Sequence, residues 1–206
     1  MSSEPRPRAA RARTATASWC PPCSRRPAAL LQDEGPDALS IRKIAAEAGV
    51  APMSLYNHFG GKHGIVEALF RQGFEAMTAQ LRAIEASDPL DRFRQGMRCY
   101  RRFALEHPAV YAVMFERLVA DFEPGEAATA AANETFLELV GCLQQGMAAG
   151  AFADGDPVAA AQLVWGACHG MVALELVEIG FVEDRDANYD ALLEVLLGGL
   201  RNTSAS

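Results

Sequence analysis

The chain has 206 residues, half of them hydrophobic, and a formal net charge of −7. This length can bury the core of one large domain or two small ones, and no apolar run approaches the roughly 18 residues of a membrane span. Five cysteines at scattered positions do not form a disulfide framework, which indicates a reducing, cytoplasmic location. Residues 1–64 hold nine Lys/Arg and five Asp/Glu, a net of +4, so the remaining residues carry −11. A basic N-terminal segment followed by an acidic remainder is typical of a nucleic-acid-binding domain joined to a domain with another function.

Residues 1–27 are rich in Arg, Ala, Pro, Ser and Thr, and we expect them to form a disordered basic arm. This arm contains "SWCPPCS", in which Cys20 and Cys23 form a C-x-x-C pair. A thioredoxin-type redox site needs a buried strand before the pair and a helix after it, and "RARTATAS" is no such strand. A zinc site needs two further Cys or His ligands at close spacing, and none lie nearby. We therefore interpret the pair as accidental and expect neither a metal nor a cofactor.

From residue 28 onward the chain is predicted to be all-α, with about nine helices and no sustained strand alternation. A short helix ends at Gly35, a second spans "SIRKIAAEAG" and a third spans "APMSLYNHF". Six further helices are predicted after these. The first is a long helix from Lys62 to about Glu85, whose apolar residues on one face are Ile65, Leu69, Phe70, Phe74, Met77, Leu81 and Ile84. The next follows Asp88-Pro89 and stops before Pro108, and the segment "PAVYAVMFERLV" comes after it. The last three run from about Pro124 to Gly150, from Asp156-Pro157 to about Gly180 and from about Ala187 to Leu200.

The segment from Leu39 to Phe70 is predicted to be a helix-turn-helix with its supporting helix. Ser40 is a good N-cap, and Gly49 permits the sharp turn between two short helices. The second short helix then presents polar and aromatic side chains at its exposed positions, which a purely structural helix does not need. These side chains are Ser54, Tyr56, Asn57 and His58.

This segment resembles the DNA-binding domain of the TetR (tetracycline-repressor) family, which shows a "GVxxxxLYxHFxxK" recognition segment. The matching residues are Gly49, Val50, Leu55, Tyr56, His58, Phe59 and Lys62. The resemblance implies a DNA-binding domain over residues 28–70 that acts as a homodimer on double-stranded operator DNA. It also implies that Ser40 and Arg42 face the phosphates or a groove edge, that Met53, Ser54 and Asn57 lie in the major groove, and that Tyr56, His58 and Lys62 contact the DNA backbone. Lys43 is a further DNA-binding candidate. Two of these residues have a structural alternative, because Tyr56 could pack against the first helix and His58 could cap a helix or be buried.

Within residues 71–206, "EHPAVYAVMF" and "LVWGACHGMVALEL" resemble a TetR ligand-domain subtype marked by a Trp…His-Gly pattern, here Trp165, His169 and Gly170. The resemblance implies that this domain binds a small-molecule effector and forms the dimer. Aromatic, Met and His side chains could line a mostly apolar cavity, although for any single one an ordinary core position explains the residue at least as well. The candidates are Phe103, His107, Tyr111, Met114, Phe115, Trp165, His169 and Met171.

We expect the dimer to be built by the last two long helices. Small residues at Ala159–Ala161, Gly166 and Ala167 permit close approach of two helices. The last helix carries a broad apolar stripe that must be buried, which consists of Leu192, Leu193, Leu196, Leu197 and Leu200.

The resulting hypothesis is a DNA-binding transcriptional repressor that is released from its operator by a small, mostly apolar ligand. No catalytic constellation is present, because His169 and Glu175 are about one and a half helical turns apart, so the chain is not expected to be an enzyme. An alternative follows from Pro21, Pro22 and Pro27, which stand where the family has a regular first helix. In that alternative the protein is a helical, small-molecule-binding dimer with impaired DNA binding.

Overall fold

A computed structural model of the chain describes Met53, residues 59–116 and residues 121–201. These ranges contain six helices and no strand: α1 (Lys62–Arg82), α2 (Pro89–Glu106), α3 (Pro108–Phe115), α4 (Glu126–Ala148), α5 (Pro157–Leu176) and α6 (Arg185–Arg201). All-α architecture is thus confirmed for this part of the chain. The six helices correspond to the last six of the nine expected, and the three short helices of the head and the predicted arm lie outside the described residues.

The helix starts follow local sequence signals. Asp88 caps α2 by accepting a hydrogen bond from the backbone N–H of Asp91 at 3.0 Å, and Asp156 caps α5 by accepting one from Val158 at 2.8 Å. In both helices proline follows the cap, at the position where a missing N–H costs nothing. The Asp-Pro pairs therefore place both helix starts as predicted.

Three helices end earlier than expected. The α3 helix ends at Phe115, where the extended backbone of Glu116 follows, within the predicted segment "PAVYAVMFERLV". The α1 helix ends at Arg82 instead of near Glu85, so its length is about 31 Å at 1.5 Å per residue. The α5 helix ends at Leu176, four residues before the expected Gly180. Glu178 takes a left-handed backbone conformation with φ 58°, and the N–H of Ile179 turns back to the carbonyl of Leu174 at 2.9 Å. This backbone reversal closes α5 without a glycine.

The core forms where α1, α2, α4 and α5 pack together, with α3 against α1 and α6 against α2 and α5. The predicted apolar face of α1 is buried at Ile65, Leu69, Phe74 and Met77. Other large side chains that are almost fully buried are Phe93, Phe103, Tyr111, Leu143, Tyr189, Leu193 and Leu197.

The apolar stripe on α6 packs mostly inside the protomer. Leu193 and Leu197 are fully buried core residues, and Leu192, Leu196 and Leu200 are partly buried against the same core. Most of this stripe is therefore taken up by the protomer's own fold. Among the described helices, α5 alone is long and apolar enough to cross a membrane, which the sequence did not predict. This is a test of length and composition only, which core helices of soluble proteins also pass.

Two glycines of α4, Gly146 and Gly141, provide a test of how the turn between α4 and α5 packs. A Cβ at Gly146 would lie 2.1 Å from the ring of Phe152, which the turn folds back into the core against Phe93. A Cβ at Gly141 would meet nothing within 4 Å. We expect Gly146→Ala to lower the free energy of unfolding by about 1–3 kcal/mol through overpacking. Gly141→Ala should raise it by up to about 1 kcal/mol, because alanine favours helix.

Urea denaturation followed by circular dichroism measures both variants. Equal midpoints for Gly146→Ala and Gly141→Ala would show that the Phe152 ring does not occupy this position.

Candidate functional site

A cavity of about 300 Å³ lies between α1, α2, α4 and α5, and the end of α3 contributes to its wall. Its volume is at the lower end of the range for small-molecule sites. The lining residues are Phe74, Met77, Leu81, Met97, Tyr100, Phe115, Ala132, Asn133, Thr135, Phe136, Leu139, Gln162, Trp165 and Cys168. Most of this surface is apolar, so the cavity suits a ligand with a hydrophobic body.

Phe115, the last residue of α3, joins the aromatic side chains of the cavity wall. Its ring centroid lies 5.3 Å from that of Phe74, 4.6 Å from Tyr111 and 6.0 Å from Trp165. The Trp165 ring in turn contacts Phe136 edge-on, with centroids 6.1 Å apart. Aromatic pairs at such distances hold one another in defined orientations, so the wall is a connected cluster that spans α1, α3, α4 and α5.

Three polar side chains form a hydrogen-bonded cluster, and one of them, Tyr100, also lines the cavity. The hydroxyl oxygens of Tyr100 and Tyr111 lie 2.6 Å apart, and they lie 2.9 Å and 2.7 Å from Nδ1 of His169. The indole N–H of Trp165 donates to the Tyr100 oxygen at 3.3 Å. In a neutral imidazole one ring nitrogen accepts and the other donates, so Nδ1 makes one such bond at a time and the two hydroxyls share it. We call these four residues the Tyr–His cluster.

Burial keeps the Tyr–His cluster uncharged at neutral pH. It raises the pKa of Tyr100 to about 12, even though hydrogen bonds from Tyr111 and Trp165 act in the opposite direction. Burial also raises the pKa of Tyr111 and lowers the pKa of His169. With all members neutral, the cluster is a structural support for the cavity and for the junction of α2, α3 and α5.

The candidate ligand residues are distributed over several environments. Phe115 and Trp165 line the cavity, whereas Tyr111 and His169 stand behind it in the Tyr–His cluster. Phe103 and Met114 are buried in the core. His107 is exposed between α2 and α3, and its ring centroid lies 5.1 Å from that of Phe103. Met171 lines a separate cavity, where its Sδ accepts a hydrogen bond from Asn188 at 3.6 Å.

Sequence reasoning did not select the cavity residues on α1, α2 and α4. The sequence predicts Phe74 and Met77 only as part of the apolar face of α1, and it gives no signal that Phe136 lines a cavity. On α4 the lining positions Ala132, Thr135, Phe136 and Leu139 do share one helical face. That spacing identifies a buried face, but it does not distinguish a face on a cavity from one in a filled core.

Most of the candidate DNA-binding residues lie outside the described residues, namely Ser40, Arg42, Lys43, Ser54, Tyr56, Asn57 and His58. Met53 is helical and exposed, and Lys62 is the exposed first residue of α1. Cys20 and Cys23 also lie outside. In the described part of the chain, no group of three or more His, Cys, Asp or Glu is placed to hold a metal ion.

The lowered pKa of His169 predicts a dependence of stability on pH. In the unfolded chain histidine titrates near pH 6.5, and in the fold its neutral form is favoured. As the pH falls through 6.5, the unfolded state therefore binds the proton first, and the free energy of unfolding should fall by at most about 1.4 kcal/mol per pH unit. His169→Asn, which keeps an acceptor near Nδ1, should remove this component.

Urea denaturation of both proteins between pH 8 and pH 5 measures the effect. His63→Asn, at an exposed position on α1, controls for the substitution itself. Parallel curves for the wild type and His169→Asn would contradict the neutral assignment.

Comparison with known proteins agrees with the fold. Residues 28–69 match the model of bacterial regulatory proteins of the tetR family, and residues 93–197 match the tetracyclin repressor-like C-terminal domain. The HTH-type transcriptional repressor KstR2 of Mycobacterium tuberculosis (strain ATCC 25618 / H37Rv) is 33% identical over 91 residues, which are 43% of this chain and 45% of KstR2. The chain thus matches about half the length of that relative. The Trp…His-Gly subtype stays a prediction.

Two solved structures share this architecture. A protein with unknown function from Rhodococcus sp. RHA1 has a TM-score of 0.78 at 27% identity, over 87% of this chain and 94% of that one. The TetR family regulator PfmR from Thermus thermophilus has a TM-score of 0.66 at 22% identity, over 87% and 99% of the two chains, and shows the fold alone. With one family model covering residues 28–69 and another covering 93–197, the chain belongs to the TetR family of transcriptional regulators, which are not enzymes.

Proposed function

We propose that the protein is a transcriptional repressor that binds a (pseudo)palindromic operator as a homodimer and is released by a small, mostly apolar ligand. The observation that carries this proposal is the position of α1. Phe74, Met77 and Leu81 of α1 line the cavity, and the same helix begins at Lys62, the last residue of the recognition motif. A molecule in the cavity therefore contacts the helix that carries the DNA-binding head.

Close packing of α3 on α1 supports a second route from the cavity to the head. A Cβ at Gly73 of α1 would lie 2.6 Å from Sδ of Met114 and 2.9 Å from the side chain of Val110, both on α3. Because α3 also carries Phe115 in the cavity wall, a ligand that displaces Phe115 would push on α1 at this contact. Such a ligand lowers operator affinity only if it binds one position of α1 better than the other.

The exposed face of α5 supports the homodimer. Of the small residues expected at the dimer interface, Ala159 and Gly166 are exposed, whereas Ala161 is buried in the protomer core and Ala160 and Ala167 are partly buried. Ala159, Leu163, Gly166 and Gly170 follow one another at spacings of four, three and four residues, and all four are exposed. On α6, Val195 is 72% exposed. Small and apolar residues at this spacing form a seam on which a second helix packs closely. Two copies of α5 and α6 would form a four-helix bundle across a two-fold axis and cover this seam.

A cytoplasmic location agrees with the cysteines of the described residues. Cys99, Cys142 and Cys168 are free thiols, and burial raises the pKa of Cys168 to about 11. Buried, protonated thiols of this kind are unreactive.

Operator binding tests the proposal, with an operator selected from a random DNA pool by the wild-type protein. Lys62→Ala should weaken binding evenly across sequences and reduce the salt slope by about one, because it removes a phosphate contact. Asn57→Ala should change which sequences are preferred, because it removes a base contact.

Equal weakening of all sequences by Asn57→Ala would contradict the placement of the recognition helix. If selection enriches no sequence at all, the alternative holds, in which the protein is a ligand-binding helical dimer with impaired DNA binding.

A further inference from the structure

No side chain that is charged at neutral pH lines the cavity. Among its fourteen residues there is no Asp, Glu, Lys, Arg or His. An ion taken from water into an apolar site without a partner loses far more hydration energy than the site returns. A ligand that is charged on its buried part would therefore be rejected, whichever the sign of the charge.

The polar atoms inside the cavity are already hydrogen-bonded. The hydroxyl of Thr135 lies 2.7 Å from that of Thr78, and it also lies within reach of the carbonyls of Phe74 and Ala131, at 3.3 Å and 3.2 Å. The hydroxyl of Tyr100 and the indole N–H of Trp165 are bonded within the Tyr–His cluster. The interior therefore offers a ligand little beyond apolar and aromatic contact.

Two side-chain amides remain, at the rim of the cavity. Asn133 on α4 and Gln162 on α5 both line it, and both are exposed. Within the described part of the chain, neither amide makes a hydrogen bond to another side chain or to the backbone. An amide offers donors and an acceptor together, so it can hold a hydroxyl or a carbonyl group, but it does not neutralise an ion.

We propose that the cavity selects an uncharged, largely apolar molecule with one hydroxyl or carbonyl group, which Asn133 and Gln162 bind at the rim. This inference rests on the proposed function, since it specifies the chemistry of the releasing ligand. A regulator that binds a free carboxylate would require a basic side chain in the lining, and one that binds an amine would require an acidic side chain. The proposed ligand class therefore differs from both.

Trp165 provides the signal for a direct test. The chain contains two tryptophans, so Trp19→Phe leaves the cavity residue as the single tryptophan. The probes are four ten-carbon molecules that differ in the head group: decan-1-ol, decan-2-one, decanoate and decylammonium, titrated at pH 7.5. We expect saturable changes with the alcohol and the ketone, and at least tenfold weaker binding of both ions. Equal or tighter binding of either ion, or no binding of the neutral pair, would overturn the proposal.

Variants at the rim test the two amides. The double variant Asn133→Ala/Gln162→Ala should weaken decan-1-ol by about threefold to tenfold, and Gln144→Ala, at an exposed amide elsewhere on α4, should leave it unchanged. Gln162→Arg should raise the affinity for decanoate above that for decan-1-ol, because it supplies the missing cation. Unchanged decan-1-ol affinity in the double variant would remove the assigned role of the amides.

Operator binding of the same ligand-free preparations separates this inference from the proposed function. If the protein prefers the neutral probes but binds no operator, the proposed ligand class is upheld and the proposed repressor function is contradicted. Operator binding without that selectivity would uphold the DNA-binding regulator and overturn the ligand class.

Discussion

Replacing Arg101 by methionine should lower the free energy of unfolding by about 3–5 kcal/mol, because it leaves a buried carboxylate without its partner. Arg101 on α2 and Glu175 on α5 have side chains that are 13% and 10% exposed. Nε and Nη2 of the guanidinium donate to the two oxygens of Glu175, both at 2.7 Å. The same group donates to Asp186 at 2.7 Å and stands 5.2 Å from the ring centroid of Tyr189. One side chain thus joins α2, α5 and α6.

The matched control is Arg98→Met, one turn earlier on α2. Arg98 makes the same two-pronged contact with Asp190, but these side chains are 50% and 46% exposed. An exposed pair contributes at most about 1 kcal/mol. Urea denaturation should therefore separate the two variants clearly, and Arg101→Met/Glu175→Leu should recover most of the loss. Equal destabilisation by Arg101→Met and Arg98→Met would show that burial of the Glu175 pair has no energetic consequence.

Placing a glutamate at Leu163 should convert the dimer to a monomer and reduce operator affinity by about 10²–10⁴-fold. Leu163 is 75% exposed in the protomer, so the substitution leaves the protomer core intact. In the proposed dimer it would bury two like charges at the centre of the α5 seam. Loss of the dimer makes the two half-sites bind independently, and the gain from linked binding disappears.

Light scattering at micromolar concentration gives the oligomeric state, and titration of the selected operator at fixed salt gives the affinity. Leu137→Glu is the matched control, because Leu137 is also exposed, at 58%, but lies on α4 away from the seam. It should remain dimeric and bind the operator normally. A dimeric Leu163→Glu, or a monomeric Leu137→Glu, would move the interface away from α5.

Much of the helical framework was determined by the sequence itself. The Asp-Pro pairs at residues 88–89 and 156–157 place two helix starts to the residue, because capping depends only on atoms within one turn. The periodic apolar residues of α1 place its buried face, since a helix carries its side chains at fixed angles. The recognition motif also indicates the family from the sequence alone, because its residues lie close together along the chain.

The candidate site was decided by the tertiary structure. The cavity wall contains both Phe74 of α1 and Trp165 of α5, and the Tyr–His cluster joins residues 100, 111 and 169. The same packing buries Leu193 and Leu197 inside the protomer, whereas the sequence predicts that the leucine stripe of α6 is buried in the dimer. It also leaves Leu163 of α5 exposed. Periodicity reveals that a helical face is apolar, and only the arrangement of neighbouring helices determines whether that face meets a core, a cavity or a second protomer.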